Sequence, residues 1–296
     1  MKKLTIFTPT FNRRHLLPRL YESLCTQTNL NFVWLVVDDG STDGTGELVG
    51  SWIEENKIQI EYIFKVNEGM HSAHNVAYAQ INTDWNVCID SDDRMPADAV
   101  ELILRKIGQN PGPQYYGIVG LDADFDGKVL GKSIPPRFDR VKMTELESVY
   151  GINGDKKLVC KTAVMQSLPA YPIYKNEKLV PLSYKSLMAE QRGLYMKPLN
   201  EILCLVEYQP DGSTKNMLMQ YRRNPRGFAF MRIARLNANL GFKEYVKTAV
   251  HLVSSTLFTG DYGGLFKTRR TTLVLAAIPF GIVLNIYIRI KTTRTA

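Results

Sequence analysis

Four short β-rich runs in the first ninety residues each stop at a polar cluster, and a helix-forming stretch follows every one. Leu4–Thr8 leads into Thr8-Pro9-Thr10-Phe11-Asn12-Arg13, and Val33–Val37 stops at Asp38-Asp39-Gly40. Ile58–Lys65 opens onto Asn67-Glu68-Gly69, and Trp85–Ile89 ends at Asp90-Ser91-Asp92-Asp93. Leu16–Thr26, Gly46–Glu55 and Ser72–Gln80 carry helical periodicity, and Pro96 fits the first turn of a fourth helix through Ile107. Tyr116–Leu121 reads as one more strand. Buried strands alternating with helices predict an α/β fold: a mostly parallel sheet with helices on both faces. Such sheets bind ligands outside the carboxyl ends of their strands, which is where all four polar clusters fall.

The acidic clusters carry the chemistry. Three carboxylates within Asp90-Ser91-Asp92-Asp93 repel one another unless a positive group sits among them. A hard divalent cation, sharing its oxygen ligands with phosphate, meets that need with few protein ligands. The alternative is a solvated acidic turn capping the helix near Pro96. Asp38-Asp39-Gly40-Ser41-Thr42-Asp43-Gly44-Thr45 follows a strand and opens a helix, yet contains neither phosphate-loop pattern, GxGxxG or GxxxxGK[ST]. Adjacent aspartates oppose a bare pyrophosphate and suit a base N–H or ribose hydroxyls instead. Asx-turn and helix-cap chemistry accounts for Ser41–Asp43 but not for the Asp38-Asp39 pair. The turn from Thr8 to Arg13, Asn12 included, suits backbone contacts with a flat base. His71, His74 and Asn75 follow the third strand.

In order and spacing, TPTFNR, VVDDGSTDGT, NEGMHSAHN and CIDSDD resemble the signature of the family 2 inverting glycosyltransferases with the GT-A fold (a Rossmann-like sheet). The resemblance is strong over about residues 4–110. A weaker likeness to a capsule- and cell-wall-type branch runs through Gly154-Asp155-Lys156, Asn176–Pro181 and Asp211-Gly212-Ser213. It implies transfer of a hexose or N-acetylhexosamine, with inversion, from a nucleotide-diphosphate sugar of UDP type to a saccharide or lipid-linked acceptor. Thr8, Pro9, Thr10 and Asp39, with Asp38 beside them, match the positions that hold base and ribose. Asp90 and Asp92 match the DxD metal and diphosphate site, taking Mn²⁺ or Mg²⁺. Ser91 lies between them, Asp93 is the adjoining carboxylate, and His71 and Asn75 match a donor-side turn. Residues 1–125 are then the donor half, 126–223 the acceptor-side half and 224–296 a basic helical tail.

Two positions depart from the branch. Met70 stands where it carries Lys, and Leu182 where it carries a Glu. Inverting transfer needs a carboxylate to take the acceptor's proton, so Glu177 and Asp155 become the candidate bases. The same departures motivate a rival reading, a non-catalytic donor-binding or scaffold protein of a polysaccharide-assembly complex. A nucleotidyltransferase is disfavoured because no Gly-rich, basic loop follows the first strand.

Charge is split along the chain. Residues 215–296 hold 14 Lys and Arg against Glu244 and Asp261, while residues 1–214 hold 23 basic against 27 acidic side chains. A basic tail on an acidic body suits the inner leaflet of the plasma membrane rather than nucleic acid. Thr271–Ile288 runs without a charge between basic flanks and predicts a surface-lying or re-entrant anchor, with a true span or a buried helix as alternatives. Phe228–Leu240 and Phe242–Phe258 predict amphipathic, cationic helices on the same surface. The four cysteines form no CxxC pair, which argues against a zinc or redox site. The short apolar run after Met-Lys-Lys predicts no signal peptide and a cytoplasmic chain.

Overall fold

Seven strands form one sheet in the computed structural model, which describes residues 2–207 and 216–293. They are β1 (Leu4–Thr10), β2 (Phe32–Asp38), β3 (Ile60–Phe64), β4 (Trp85–Cys88), β5 (Tyr115–Ala123), β6 (Lys156–Lys161) and β7 (Tyr195–Leu205). Helices α1 (Leu17–Cys25), α2 (Thr45–Glu55), α3 (Met70–Gln80) and α4 (Ala99–Gly108) alternate with the first strands. The order across the sheet is β3-β2-β1-β4-β6-β5-β7, parallel except where β6 pairs antiparallel with β4 and β5. The expected mostly parallel α/β sheet is therefore present.

Period-two alternation sets the layers. Leu4 and Ile6 of β1 pack with Leu17, Leu20 and Trp34, while Phe7, the next residue along the strand, packs with Leu35, Ala73 and Ala77 on the opposite face. Tyr21 and Trp52 stack with ring centroids 4.3 Å apart, and Trp34 lies 5.8 Å from Trp52. After β1 the chain first builds towards one edge (β2, β3) and then reverses to place β4 on the other side of β1. A parallel sheet opens its ligand crevice where strand order reverses. Here the crevice lies at the carboxyl ends of β1 and β4.

Strand β6 is an element that the sequence reading did not place. Its sequence Lys-Lys-Leu-Val-Cys-Lys buries a lysine, Lys157, where alternation calls for an apolar residue. That buried charge hid the strand period. Two short helices, α5 (Met143–Leu146) and α6 (Thr162–Ser167), complete the sheet-bearing unit of Met1–Pro169 and Arg192–Tyr208.

The second unit, Ala170–Gln191 with Gln209–Ala296, is helical. It contains α7 (Ser183–Gln191), α8 (Met217–Arg223), α9 (Pro225–Asn237), α10 (Phe242–Thr259), α11 (Thr271–Ala276) and α12 (Ile278–Thr293). Its core joins Leu236, Tyr245, Ala249, Leu252, Val253, Leu265 and Val274. The uncharged stretch from Thr271 is two helices that meet at Ala277, and no helix among the described residues is long and apolar enough to cross a membrane. The expected cationic face of α9 needs correction. Arg232 is buried, bonded to the His251 carbonyl (3.0 Å) and Ser255 and lying over the Tyr221 and Phe228 rings. Arg235 pairs with Glu244 at 2.6 Å. Asp211-Gly212-Ser213 lies outside the described residues.

Candidate active site

The β1 and β2 loops are laced into one wall. The Asn12 N–H donates to Ser41 Oγ (2.8 Å), and Asn12 Oδ1 accepts the Thr42 N–H (2.8 Å). Asn12 holds φ +52° to make this fit, a conformation asparagine tolerates better than most residues. The Arg14 N–H donates to Asp43 Oδ2 at 2.9 Å. Gly40 has φ +88°, and a Cβ there would sit 2.9 Å from the Asn67 nitrogen, so only glycine fits.

Both aspartates of the pair after β2 are buried and accept hydrogen bonds from their own chain. Asp38 Oδ1 takes the Ser41 N–H (2.7 Å), and its Oδ2 takes the Tyr62 hydroxyl (2.8 Å). Asp39 Oδ1 takes Lys65 Nζ (2.7 Å) and the Glu68 N–H (3.0 Å), and its Oδ2 takes the Gly69 N–H (2.6 Å). Asp39 thereby ties the β3–α3 loop to the end of β2. The indole N–H of Trp34 donates to Thr8 Oγ1 at 3.0 Å, so the Thr8 side chain belongs to the core. Pro9 pairs in register with Val37. Thr10 Oγ1 is buried without a hydrogen-bond partner among the described residues. His71 is buried in the first turn of α3, with Asn75 half-buried one turn on. His74 packs edge-on against Phe7 (5.0 Å) and is a core aromatic.

At the end of β4, Asp90 and Asp92 are half-buried while Ser91 and Asp93 are buried. The Asp93 N–H closes a tight turn on the Asp90 carbonyl at 3.1 Å. The helix-cap alternative fails, because α4 starts at Ala99 behind Asp98, well past this turn. Behind it lies a knot that the sequence concealed. Lys157 Nζ stands 3.6 Å from Asp93 Oδ2 and 3.9 Å from Asp122 Oδ2, and the Cys204 thiol donates to Asp93 Oδ2 at 3.3 Å. These groups come from β5, β6, β7 and the β4 turn, so no local pattern could announce them. Burial pushes the Asp93 carboxyl up to about 7, against the opposing pull of Lys157. Burial and the charge of Asp90 raise Asp92, and burial raises Asp122, whose Oδ1 is buried without a hydrogen-bond partner. For Lys157 burial works downward, but Cys204, Asp122, Asp93 and Asp90 outweigh it and hold the ammonium well above its ordinary value.

The buried ammonium of Lys157 faces Asp93 and Asp122, and the charges of Arg13 and Arg19 act on Asp92, so the four carboxylates keep a partial surplus of negative charge where β4 ends. A divalent cation fits that surplus and the all-oxygen donor set. Among the described residues no three His, Cys, Asp or Glu side chains form a closed metal cage. A cation here would take its remaining ligands from a bound phosphate or water.

The two candidate bases fall in different units. Asp155 is exposed immediately before β6, and its charge helps raise Asp122. Glu177 lies in the helical unit, where Oε1 accepts the Arg226 N–H (3.0 Å) and Oε2 the Gly227 N–H (2.9 Å). It caps the N-terminus of α9. A Cβ on Gly227 would strike the Leu179 carbonyl, so the loop carrying Glu177 packs directly on that helix end.

Known proteins resemble this chain in sequence and in fold. The family model described as Glycosyl transferase family 2 matches residues 5–150. Glycosyltransferase GlyA of Streptococcus pneumoniae serotype 4 is 30% identical over 148 residues, covering 48% of this chain and 21% of that protein. Teichoic acid poly(glycerol phosphate) polymerase of Staphylococcus epidermidis is 29% identical over 215 residues, 70% of this chain and 28% of that protein. The chain thus spans less than a third of the length of either relative. Among solved structures, S. aureus TarS 1-349 in complex with UDP-GlcNAc superposes with a TM-score of 0.61 at 18% identity, covering 95% of this chain and 81% of that one. Mannosyltransferase PcManGT from Pyrobaculum calidifontis, in complex with GDP-Man and Mn²⁺, gives 0.58 at 14% identity over 96% and 87%. These likenesses show the GT-A fold.

Proposed function

Since residues 5–150 place this chain among the family 2 glycosyltransferases, we propose that it transfers a hexosyl or N-acetylhexosaminyl group from a UDP-sugar, with inversion, to a saccharide or lipid-linked acceptor. The observation that carries the reading is the convergence of Thr10, Asp39 and the Asp90–Asp92 turn on the carboxyl ends of the strands around the β1–β4 reversal. Backbone groups of Thr8–Thr10 and the remaining acceptor capacity of Asp39 receive base and ribose, with Asp38 and Asn12 holding that wall. His71 and Asn75 line the donor side. Asp90 and Asp92 hold Mn²⁺ or Mg²⁺, which when bound neutralises the diphosphate leaving group. Ser91 and Asp93 fix the turn that presents them. Asp155 takes the acceptor's proton, a role supported by its exposure at the same sheet edge as the β4 turn, whereas Glu177 serves as a helix cap. The basic helical segment, residues 224–296, keeps the enzyme at the cytoplasmic face of the plasma membrane.

The test is a thermal-shift series with UDP and UDP-sugars, with Mn²⁺ and with EDTA, followed by a transfer assay. A nucleotide that binds the folded protein raises stability by RT ln(1+[L]/Kd). The expected result is a UDP shift that shrinks in EDTA. A shift indifferent to EDTA refutes the metal reading. Leu182 in place of a glutamate, with Glu177 engaged as a cap, favours one second reading: a donor-binding scaffold. Donor binding without turnover under every metal condition would establish it.

A further inference from the structure

Helix α12 is inside out. Its buried positions are Gly281, Asn285, Ile288 and Thr292, one every three or four residues. Apart from Ile288, that inner seam is small or polar. Gly281 lies against Val253, where a Cβ would collide, and Asn285 Nδ2 donates to the Ser254 carbonyl at 3.0 Å. Arg289 Nε donates to Asn285 Oδ1 at 2.8 Å, and Arg222 Nη1 donates to Thr292 Oγ1 at 2.9 Å. The outward face carries Phe280, Ile282, Val283, Ile286, Tyr287 and Ile290, between 41% and 67% exposed. A helix on a water-exposed surface has the opposite polarity. Small residues inside and large apolar residues outside are the pattern of a helix facing lipid.

The surroundings fix the occupant. Lys267 and Arg269 are exposed ahead of α11, and Lys291 is exposed on the last turns of α12. Between residues 216 and 293 only Glu244 and Asp261 offset the basic side chains. A second copy of so basic a unit would meet this face with like charge, whereas an anionic surface complements it. Sixteen residues make α12 about 24 Å long, short of the roughly 30 Å hydrocarbon core. An apolar face on a helix of this length, bordered by cations, suits a position in the plane of the interface.

We propose that the outward face of α12, centred on Val283, Ile286 and Tyr287, inserts in the plane of an anionic bilayer while Lys267, Arg269 and Lys291 meet lipid phosphates. The inference rests on the reading of the tail as a membrane contact and is independent of the transfer chemistry. The test uses the full chain with sedimenting vesicles of phosphatidylcholine alone and of phosphatidylcholine mixed with phosphatidylglycerol. Wild type should bind the anionic vesicles at least about tenfold more strongly. Val283→Asp with Ile286→Asp should lose about tenfold or more in vesicle binding, since both side chains are exposed and serve only the insertion. The UDP-induced thermal shift, read on the same samples, should not change between wild type and variant. Unaltered vesicle binding by the double variant overturns the proposal, as does complete release of wild type by salt, which screens charge but not apolar contact. Self-association by light scattering that the double variant abolishes, without vesicle binding, assigns the face to a second copy and also overturns it. Absence of any UDP shift in wild type strikes the transferase reading and leaves the vesicle result standing.

Discussion

Lys157→Met removes a buried ammonium that faces two buried carboxylates. At separations of 3.6 and 3.9 Å and an effective dielectric near 20, each attraction is about 4–5 kcal/mol before desolvation is charged against it. The ammonium's own burial offsets much of that, and breaking a buried pair from one side costs roughly 3–5 kcal/mol. The loss must depend on pH. Asp93 titrates at about 7 in the folded protein against an ordinary 3.8. A raised acid contributes stability that is complete below pH 3.8 and lost as pH rises through about 7. Methionine removes the opposing cation and drives that folded value higher still, so the penalty grows with pH. Urea unfolding at about pH 8 should show the full ~3–5 kcal/mol, and at about pH 5, with Asp93 protonated, less than about half of it. Lys157→Arg should retain most of the stability at both. A loss for Lys157→Met below about 1 kcal/mol at the higher pH, or one equal at both, refutes the charge-knot account.

Asp92→Asn should abolish the Mn²⁺-dependent part of the UDP thermal shift while leaving the melting temperature without ligand nearly unchanged or slightly raised, since it relieves repulsion with Asp90. Asp155→Asn should cut turnover by about 10²-fold or more with donor affinity intact, which a transfer assay beside UDP titration would read. Glu177→Gln should cost about 1–2 kcal/mol in urea unfolding through the weakened cap of α9, with turnover per folded molecule retained. A large fall in turnover at unchanged stability would return Glu177 to the role of base. Gly40→Ala, forced into φ +88° against the Asn67 backbone, should cost about 1–3 kcal/mol and weaken UDP binding.

The donor half was legible because its signals are local. A strand that stops at Asp38-Asp39-Gly40, or at Asp90-Ser91-Asp92-Asp93, declares its boundary and its chemistry in consecutive residues, and β1 to β4 formed where the apolar runs placed them. The β6 strand was illegible for the opposite reason. Its buried Lys157 makes sense only beside Asp93 and Asp122, which arrive from two other elements. Arg232 misled in the same way: on a helical wheel it belongs to a cationic face, yet the cavity formed by Tyr221, Phe228 and His251 receives it inside the bundle. Glu177 carried a family motif but not its partner, because the amides of Arg226 and Gly227 are about fifty residues away in sequence.

The knot behind the β4 turn also bears on why Asp90 and Asp92 stay partly exposed while Asp93 does not. Lys157 and the Cys204 thiol engage Asp93 from the sheet side, and the Asp93 amide closes the turn onto the Asp90 carbonyl. With Asp93 anchored inward, Asp90 and Asp92 are the two carboxylates left half-exposed at the strand-order reversal. Had the lysine stood among Asp90 and Asp92 instead, it would satisfy their charge permanently and compete with any cation. Placed behind Asp93 and Asp122, it leaves Arg13 and Arg19 as the cations that act on Asp92 at the front. The metal dependence proposed for the donor rests on Asp90 and Asp92, and Lys157, a residue with no signature of its own, supports their turn from behind through its ion pair with Asp93.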